Sequence, residues 1–224
     1  MEKVLLHTPE GVRDVYGKEC AVKLTIENSI NKVFNIYGYH NIQTPTFEFF
    51  DIFSKERGSV ASKNLYKFFD REGNTLVLRP DVTPSIARLV AKYYMDVKVP
   101  VKLCYNANTY INNSELQGKL KENTQLGCEL INDDSVEADA EILALVVDSL
   151  KAAGLKEFLV EIGHADFYKG LLEECGFDTE NEQELRKRIE NKNYFGVEEI
   201  LDNNNITGQL KEAFLKLPEL FGSI

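Results

Sequence analysis

The stretch Leu103–Ile131 constrains the fold of this chain more than any other. It alternates apolar and polar residues, crosses a polar loop and alternates again, which predicts an antiparallel hairpin. Side chains two residues apart on a strand share a face. Gln125, Gly127 and Glu129 on the return strand 124–131 therefore face one cleft, while the apolar residues between them pack on the core. Gly127 is expected to leave room for a small ligand. The pattern alone favours a hairpin with one face in solvent and no ligand, and the neighbouring segments are what support a binding site.

A tight connection between a predicted strand and a predicted helix holds the next candidate residues. It is the segment Pro80-Asp81-Val82-Thr83-Pro84, followed by a helix predicted over residues 85–94. Thr83 is the expected N-cap, with a proline at the first helical position. Two prolines frame Asp81 stiffly, so a ligand contact is a better interpretation for Asp81 than for Thr83.

The rest of the chain adds helices and one more strand. Apolar periodicity predicts a helix over residues 18–37. Asp134 and Glu137 form a start like a capping box for a helix that ends near Gly154. An apolar strand is predicted at 158–163, with short helices after it. Because the strand pairs are joined by hairpins and not by crossovers, we predict an α+β fold with a mainly antiparallel sheet flanked by helices.

The predicted elements divide the chain into a core and a helical tail. We assign residues 1–175 to the core and residues 176–224 to a helical segment that leads to, or lies within, an insertion. The chain stops in a helical run, which predicts that the sequence is truncated at its C-terminus.

Composition narrows the functional classes. The net charge is −10, with an isoelectric point of about 4.9, which disfavours nucleic acid as a partner. The four cysteines have no metal-ligand spacing, so we predict reduced thiols and no metal site. No signal peptide, membrane-length apolar run or nucleotide-binding glycine motif is present in the sequence. These features predict a cytoplasmic protein without membrane contact or cofactor.

Five stretches, in order, resemble the catalytic core of histidyl-tRNA synthetases and of their paralogue, the regulatory subunit of ATP phosphoribosyltransferase. They are TPEGVRDVYG at 8–17, GYHNIQTPTFEFF at 38–50, LRPDVTPSIARLVA at 78–91, LCYNANTYINN to TQLGCEL at 103–130, and LPELFG at 217–222. The resemblance implies a class II aminoacyl-tRNA synthetase-like fold. It also implies a homodimer with Pro45 at the interface.

The resemblance also assigns an amino-acid site. In that family, the acidic residue and threonine after LRP and the Gln and Glu of the return strand hold histidine. The matching positions here are Asp81, Thr83, Gln125 and Glu129. Their chemistry fits, because an amino acid's ammonium group needs carboxylate and amide oxygens as acceptors.

The positions that would hold ATP depart from the synthetase pattern. The resemblance places Ile111 where the synthetases have an arginine for the α-phosphate, Asn113 where they have an acidic residue, and Asn123 where an aromatic ring stacks on adenine. Lys121 is at best a point charge in place of the loop arginine. Isoleucine has no donor to stabilise charge during adenylate formation. The resemblance therefore implies a chain with no catalytic residue.

Three functions remain open at this point. The resemblance favours a regulatory subunit that forms a hetero-oligomer with the catalytic subunit of ATP phosphoribosyltransferase. Such a subunit is needed for the first step of histidine biosynthesis and for its feedback control by histidine. The first alternative is an active histidyl-tRNA synthetase core. The second is a histidine-sensing or scaffold domain of the same fold with another partner.

Overall fold

The computed structural model of the chain describes residues 6–54, 60–113, 118–220 and 222. Contacts divide the chain into two compact units, Met1–Phe158 and Leu159–Ile224. This division falls ahead of the predicted boundary after residue 175.

A long hairpin is the centre of the first unit. Strands β5 (Val101–Tyr110) and β6 (Glu122–Ile131) pair antiparallel, so that Leu103 lies opposite Glu129. A short strand, β1 (His40–Asn41), runs parallel to β5 on its other side. The predicted hairpin is confirmed, as is the shared face of Gln125, Gly127 and Glu129, because the register alternates residues strictly between the two faces.

Helices cover both faces of this hairpin. On one face, Leu126, Cys128 and Leu130 pack against a core of Phe34, Tyr39, Cys104 and Leu145. That core is supplied partly by helix α1 (Gly17–Ile36) and helix α4 (Val136–Ala152). On the other face, helix α3 (Thr83–Tyr93) buries Ile86 against Val101 and Leu103. The candidate residues of β6 point to this second face.

A smaller sheet completes the first unit. Its strands are β2 (Phe47–Phe49), β3 (Lys67–Phe69) and β4 (Thr75–Leu78), in the order β2-β4-β3 with antiparallel pairing. The short helix α2 (Asp51–Ser54) and a 3-10 turn (Ser62–Asn64) lie between these strands in sequence. The central strand buries Val77 against Phe53 and Leu65. The predicted α+β fold with mainly antiparallel pairing is therefore confirmed.

The second unit is helical. It contains α5 (Ala165–Cys175), α6 (Thr179–Glu190), α7 (Tyr194–Asn203) and α8 (Gly208–Lys216), followed by a 3-10 turn (Leu217–Glu219). Its core is formed by Leu185, Val197, Leu201 and Phe214, each of them fully buried. In the described ranges, no helix is long and apolar enough to cross a membrane.

Two local predictions are wrong. The described residues 158–163 form no strand, and Leu159 and Ile162 are 80% and 59% exposed. A strand needs a neighbour for its backbone hydrogen bonds, and this segment pairs with no described strand. The cap of α4 is Ser135 and not Asp134, because the Ser135 side chain accepts a hydrogen bond from the Ala138 amide at 3.2 Å.

Candidate functional site

A hydrogen bond between α3 and β6 forms the centre of the candidate site. The Thr83 hydroxyl donates to Glu129 Oε1 at 2.6 Å. The N-cap prediction for Thr83 is wrong, because α3 already begins at Thr83 and Val82 is its cap residue. Asp81 satisfies the free amides instead: its Oδ1 accepts from the backbone N–H of Val82 at 2.7 Å and of Thr83 at 3.4 Å. Asp81 thus caps the helix start, the role expected of Thr83, whereas Thr83 contacts the carboxylate of β6.

Tyr105 is a site residue that the sequence pattern did not single out. It lies directly opposite Gly127 in the β5–β6 ladder. Its ring occupies the space above this glycine, so that a Cβ atom on Gly127 would overlap the Cζ and Oη atoms of Tyr105. The prediction that Gly127 leaves room for a ligand is therefore wrong. An aromatic residue opposite a strand glycine is the signal that would have found this contact.

The cluster is anionic and partly shielded from solvent. Burial raises the pKa of Glu129, the Asp81 carboxylate adds to this shift, and the hydrogen bond from Thr83 opposes it. Burial also raises the pKa of Tyr105 to about 12, with further contributions from the charges of Glu129 and Asp81. Because the Asp81 carboxylate disfavours the charged form of Glu129, a bound cation such as an ammonium group would stabilise that form.

An apolar cleft of about 350 Å³ adjoins the Thr83–Glu129 contact. Its other walls are Ile86, Ala87, Val90, Ala91 and Ile131. An acidic end beside apolar walls suits a small molecule with an ammonium group and a largely apolar body. Gln125 is exposed on the same face of β6, and its side-chain amide makes no hydrogen bond to another described residue.

The positions assigned to ATP lie at the loop end of the hairpin. Asn123 is six residues before Glu129 on β6, which is a distance of about 20 Å along the strand. The Ile111 amide donates to the Lys121 carbonyl at 2.9 Å, and the Lys121 amide donates to the Gly11 carbonyl at 2.7 Å. The Asn123 side chain donates to the Leu120 carbonyl at 3.3 Å. These contacts anchor the described residues at both ends of the connection between β5 and β6.

Two further predictions concern residues away from this cluster. Pro45 is exposed in the segment before β2, and its carbonyl accepts a hydrogen bond from Arg79 Nη1 at 3.3 Å. Its place in a dimer interface stays a prediction. The described ranges contain no group of three or more His, Cys, Asp or Glu side chains placed to hold a metal ion.

The architecture is that of a class II synthetase-like fold, with a mixed sheet between helices. The family model described as "Histidyl-tRNA synthetase" matches residues 11–224, so the chain belongs to the histidyl-tRNA synthetase family. A crystal structure of an ATP phosphoribosyltransferase regulatory subunit/histidyl-tRNA synthetase from Bacillus halodurans C is 36% identical, with a TM-score of 0.85 over 96% of this chain and 56% of that one. A histidine–tRNA ligase subunit from Alicyclobacillus acidocaldarius is 26% identical, with a TM-score of 0.75 over 88% of this chain and 56% of that one.

Among curated proteins, the chain is similar to regulatory subunits. The ATP phosphoribosyltransferase regulatory subunit of Ruminiclostridium cellulolyticum is 46% identical over 100% of this chain and 54% of its own length. That of Acetivibrio thermocellus is 43% identical over 97% of this chain and 52% of its own length. The chain thus spans about half the length of the curated relatives it matches.

Proposed function

We propose that this chain is part of a non-catalytic regulatory subunit of ATP phosphoribosyltransferase. The observation that carries the proposal is the difference along β6. The end near Glu129 has an acidic cluster, whereas Ile111 and Asn123 at the other end stand where the resemblance to synthetases places an arginine and an aromatic ring for ATP. The identity of 46% to a regulatory subunit supports the same conclusion. By this proposal the protein acts in the cytoplasm, in the first step of histidine biosynthesis.

The proposed ligand of the acidic cluster is histidine. Its ammonium group would lie against Glu129 and Asp81, and its ring would enter the apolar cleft beside α3. The exposed amide of Gln125 is available on the same face. Feedback control would follow if the complex with the catalytic subunit binds histidine more tightly in one of its arrangements than in another.

The proposed homodimer would use the surface around Pro45. The outer face of the small sheet exposes Phe47, Phe49 and Phe68 at 51%, 56% and 37%. Apolar surface of this kind supports a protein contact. Sedimentation analysis tests the dimer: Phe49→Asp should shift it toward monomer, whereas Phe195→Asp, a change at an exposed residue of α7, should not. A wild-type monomer at micromolar concentration would contradict the proposal.

Association with the catalytic subunit is the decisive experiment. The protein and a short-form catalytic subunit should co-elute at micromolar concentrations, and the complex should transfer the phosphoribosyl group to ATP faster than the catalytic subunit alone. Added histidine should lower this rate. A Glu129→Gln variant should still associate but respond less to histidine. If the two proteins do not associate at micromolar concentrations, the proposal is wrong.

An active synthetase core is the second candidate, favoured by the family match over residues 11–224. It predicts histidine-dependent exchange of pyrophosphate into ATP. Exchange above background in the wild-type protein would support this candidate and contradict the regulatory proposal.

A further inference from the structure

Arg79 is a buried cation that is hydrogen-bonded to uncharged groups. Arg79 is only 6% exposed to solvent. Its Nε donates to the Asn108 carbonyl at 2.7 Å, and its Nη1 donates to the carbonyls of Thr44 at 2.9 Å and Pro45 at 3.3 Å. Burial lowers the pKa of Arg79, although guanidinium groups remain charged at neutral pH. A buried charge is costly unless an opposite charge compensates it.

A carboxylate whose charge acts on Arg79 is shared with a second arginine. Glu48 is buried and accepts two hydrogen bonds from Arg88, from Nε at 3.1 Å and from Nη2 at 2.7 Å. Its charge also acts on Arg79 and raises the pKa of that group, but without a hydrogen bond between the two in the described part of the chain. Arg79, Arg88 and Glu48 together carry one positive charge in excess.

An open strand edge lies beside Arg79. The Ile42 amide donates to the Cys104 carbonyl at 2.9 Å, and after this contact the chain of residues 43–46 leaves β5. Backbone groups two residues apart on a strand point to the same edge. Three backbone groups therefore point to the side that β1 has left: the N–H and C=O of Asn106 and the N–H of Asn108. Within the described ranges these three groups have no hydrogen-bond partner.

A cleft of about 380 Å³ joins the two features, and Gln43, Thr44, Arg79, Asn106 and Asn108 are among its walls. Arg79 Nη2 has no acceptor among the described residues. We propose that this cleft binds a small oxyanion, a carboxylate or a phosphate, through Arg79 Nη2. The free backbone groups on the open edge of β5 would form hydrogen bonds with the part of the ligand next to its anionic group. Tyr105 and Val82 also line this cleft, so that the oxyanion site adjoins the acidic cluster without sharing its carboxylates.

A titration followed by NMR tests the proposal. The isotope-labelled protein is titrated at constant ionic strength with succinate, with phosphate and with the uncharged succinamide. Saturable chemical-shift changes of the backbone amides of Asn106 and Asn108 are expected with at least one anion and not with succinamide. The two anions distinguish a carboxylate site from a phosphate site. Absence of saturation by both anions at millimolar concentrations would overturn the proposal.

Gln43 supplies the matched variants, because it is exposed at the cleft and has no described side-chain contact. Gln43→Glu places a like charge beside the anion and should weaken binding about tenfold. Gln43→Lys should strengthen it. Both variants leave the hydrogen bonds of Arg79 in place, so a folding defect is not expected. Equal affinity of the wild-type and Gln43→Glu proteins would also overturn the proposal.

Discussion

The two ends of the β5–β6 hairpin have the same backbone pairing but different chemistry. Near Glu129, a half-buried carboxylate is bonded by Thr83 and stands beside Asp81, so the surface attracts a cation. Near Asn123, the side-chain amide bonds a loop carbonyl. Ile111, opposite that loop, has no polar side chain. On the proposed function, one strand pair keeps half of a two-substrate site while its fold is preserved.

The largest expected effect is a loss of folding stability from a change at the Glu129 end of the hairpin. In Gly127→Ala, the new methyl group would overlap the Tyr105 ring and push it away from its position. We expect a loss of about 1–3 kcal/mol in unfolding free energy, as for other overpacked sites, together with weaker histidine binding. Thermal and chemical unfolding measure the first effect.

The glycine comparison has an internal control. Gly163→Ala, at a glycine with nothing within 4 Å of the added atom, should change the free energy of unfolding by less than about 0.5 kcal/mol. The double variant Tyr105→Ala/Gly127→Ala should lose less stability than the two single variants added together, because without the Tyr105 ring the new methyl group has nothing to overlap. If the double variant is as unstable as the sum of the two single ones, the steric explanation is wrong.

The next largest effect is on histidine affinity. Glu129→Gln keeps the size of the side chain but removes its charge, and a hydrogen bond to a charged group contributes about 1.5–3 kcal/mol. Histidine binding, measured by calorimetry, should therefore weaken at least about tenfold. The control is Glu122→Gln on the same strand, whose carboxylate accepts from Asn108 at 2.7 Å. Equal losses of histidine affinity in Glu129→Gln and Glu122→Gln would mean that histidine does not bind specifically at the Glu129 end.

A smaller effect is expected on pH dependence. The bound ammonium group needs an ionised Glu129, so histidine affinity should fall as pH falls through the raised pKa of this carboxyl. Thr83 lowers that pKa by its hydrogen bond, and Thr83→Val should therefore move the midpoint to higher pH. Carboxyl carbon NMR of Glu129 measures this shift directly. A midpoint that moves down would contradict the assigned hydrogen bond.

The same raised pKa has a consequence for stability. A carboxyl whose pKa is higher in the folded protein than in the unfolded chain favours folding when it is protonated. Its contribution is present below the unfolded value and is lost as pH rises through the folded value. A bound cation should reduce this loss, so histidine should stabilise the wild-type protein more at neutral pH than at acidic pH.

The smallest expected effect is at the loop end. Ile111→Arg supplies the guanidinium group that the resemblance to synthetases places at this position, but Asn113 and Asn123 would still stand where that resemblance places an acidic residue and an aromatic ring. We therefore expect no histidine-dependent pyrophosphate exchange in this variant. Robust exchange after this single change would show that the loop end had lost one residue and not a complete site.

The hairpin and the face of its candidate residues were predictable because strand alternation determines both directly. The Tyr105–Gly127 contact was not, since it depends on which way a side chain leans across the ladder. The roles of Asp81 and Thr83 depended on the residue at which α3 begins, and helix starts are uncertain by a residue or two. The strand predicted at 158–163 failed because an apolar run does not supply its own pairing partner.

Calorimetric titration of the wild-type protein with histidine and then with ATP tests the central claim most directly. The difference between the hairpin ends predicts saturable binding of histidine, weakened in Glu129→Gln, and no saturable binding of ATP in the presence of histidine. Saturable ATP binding at the Ile111 end, with pyrophosphate exchange, would contradict the claim.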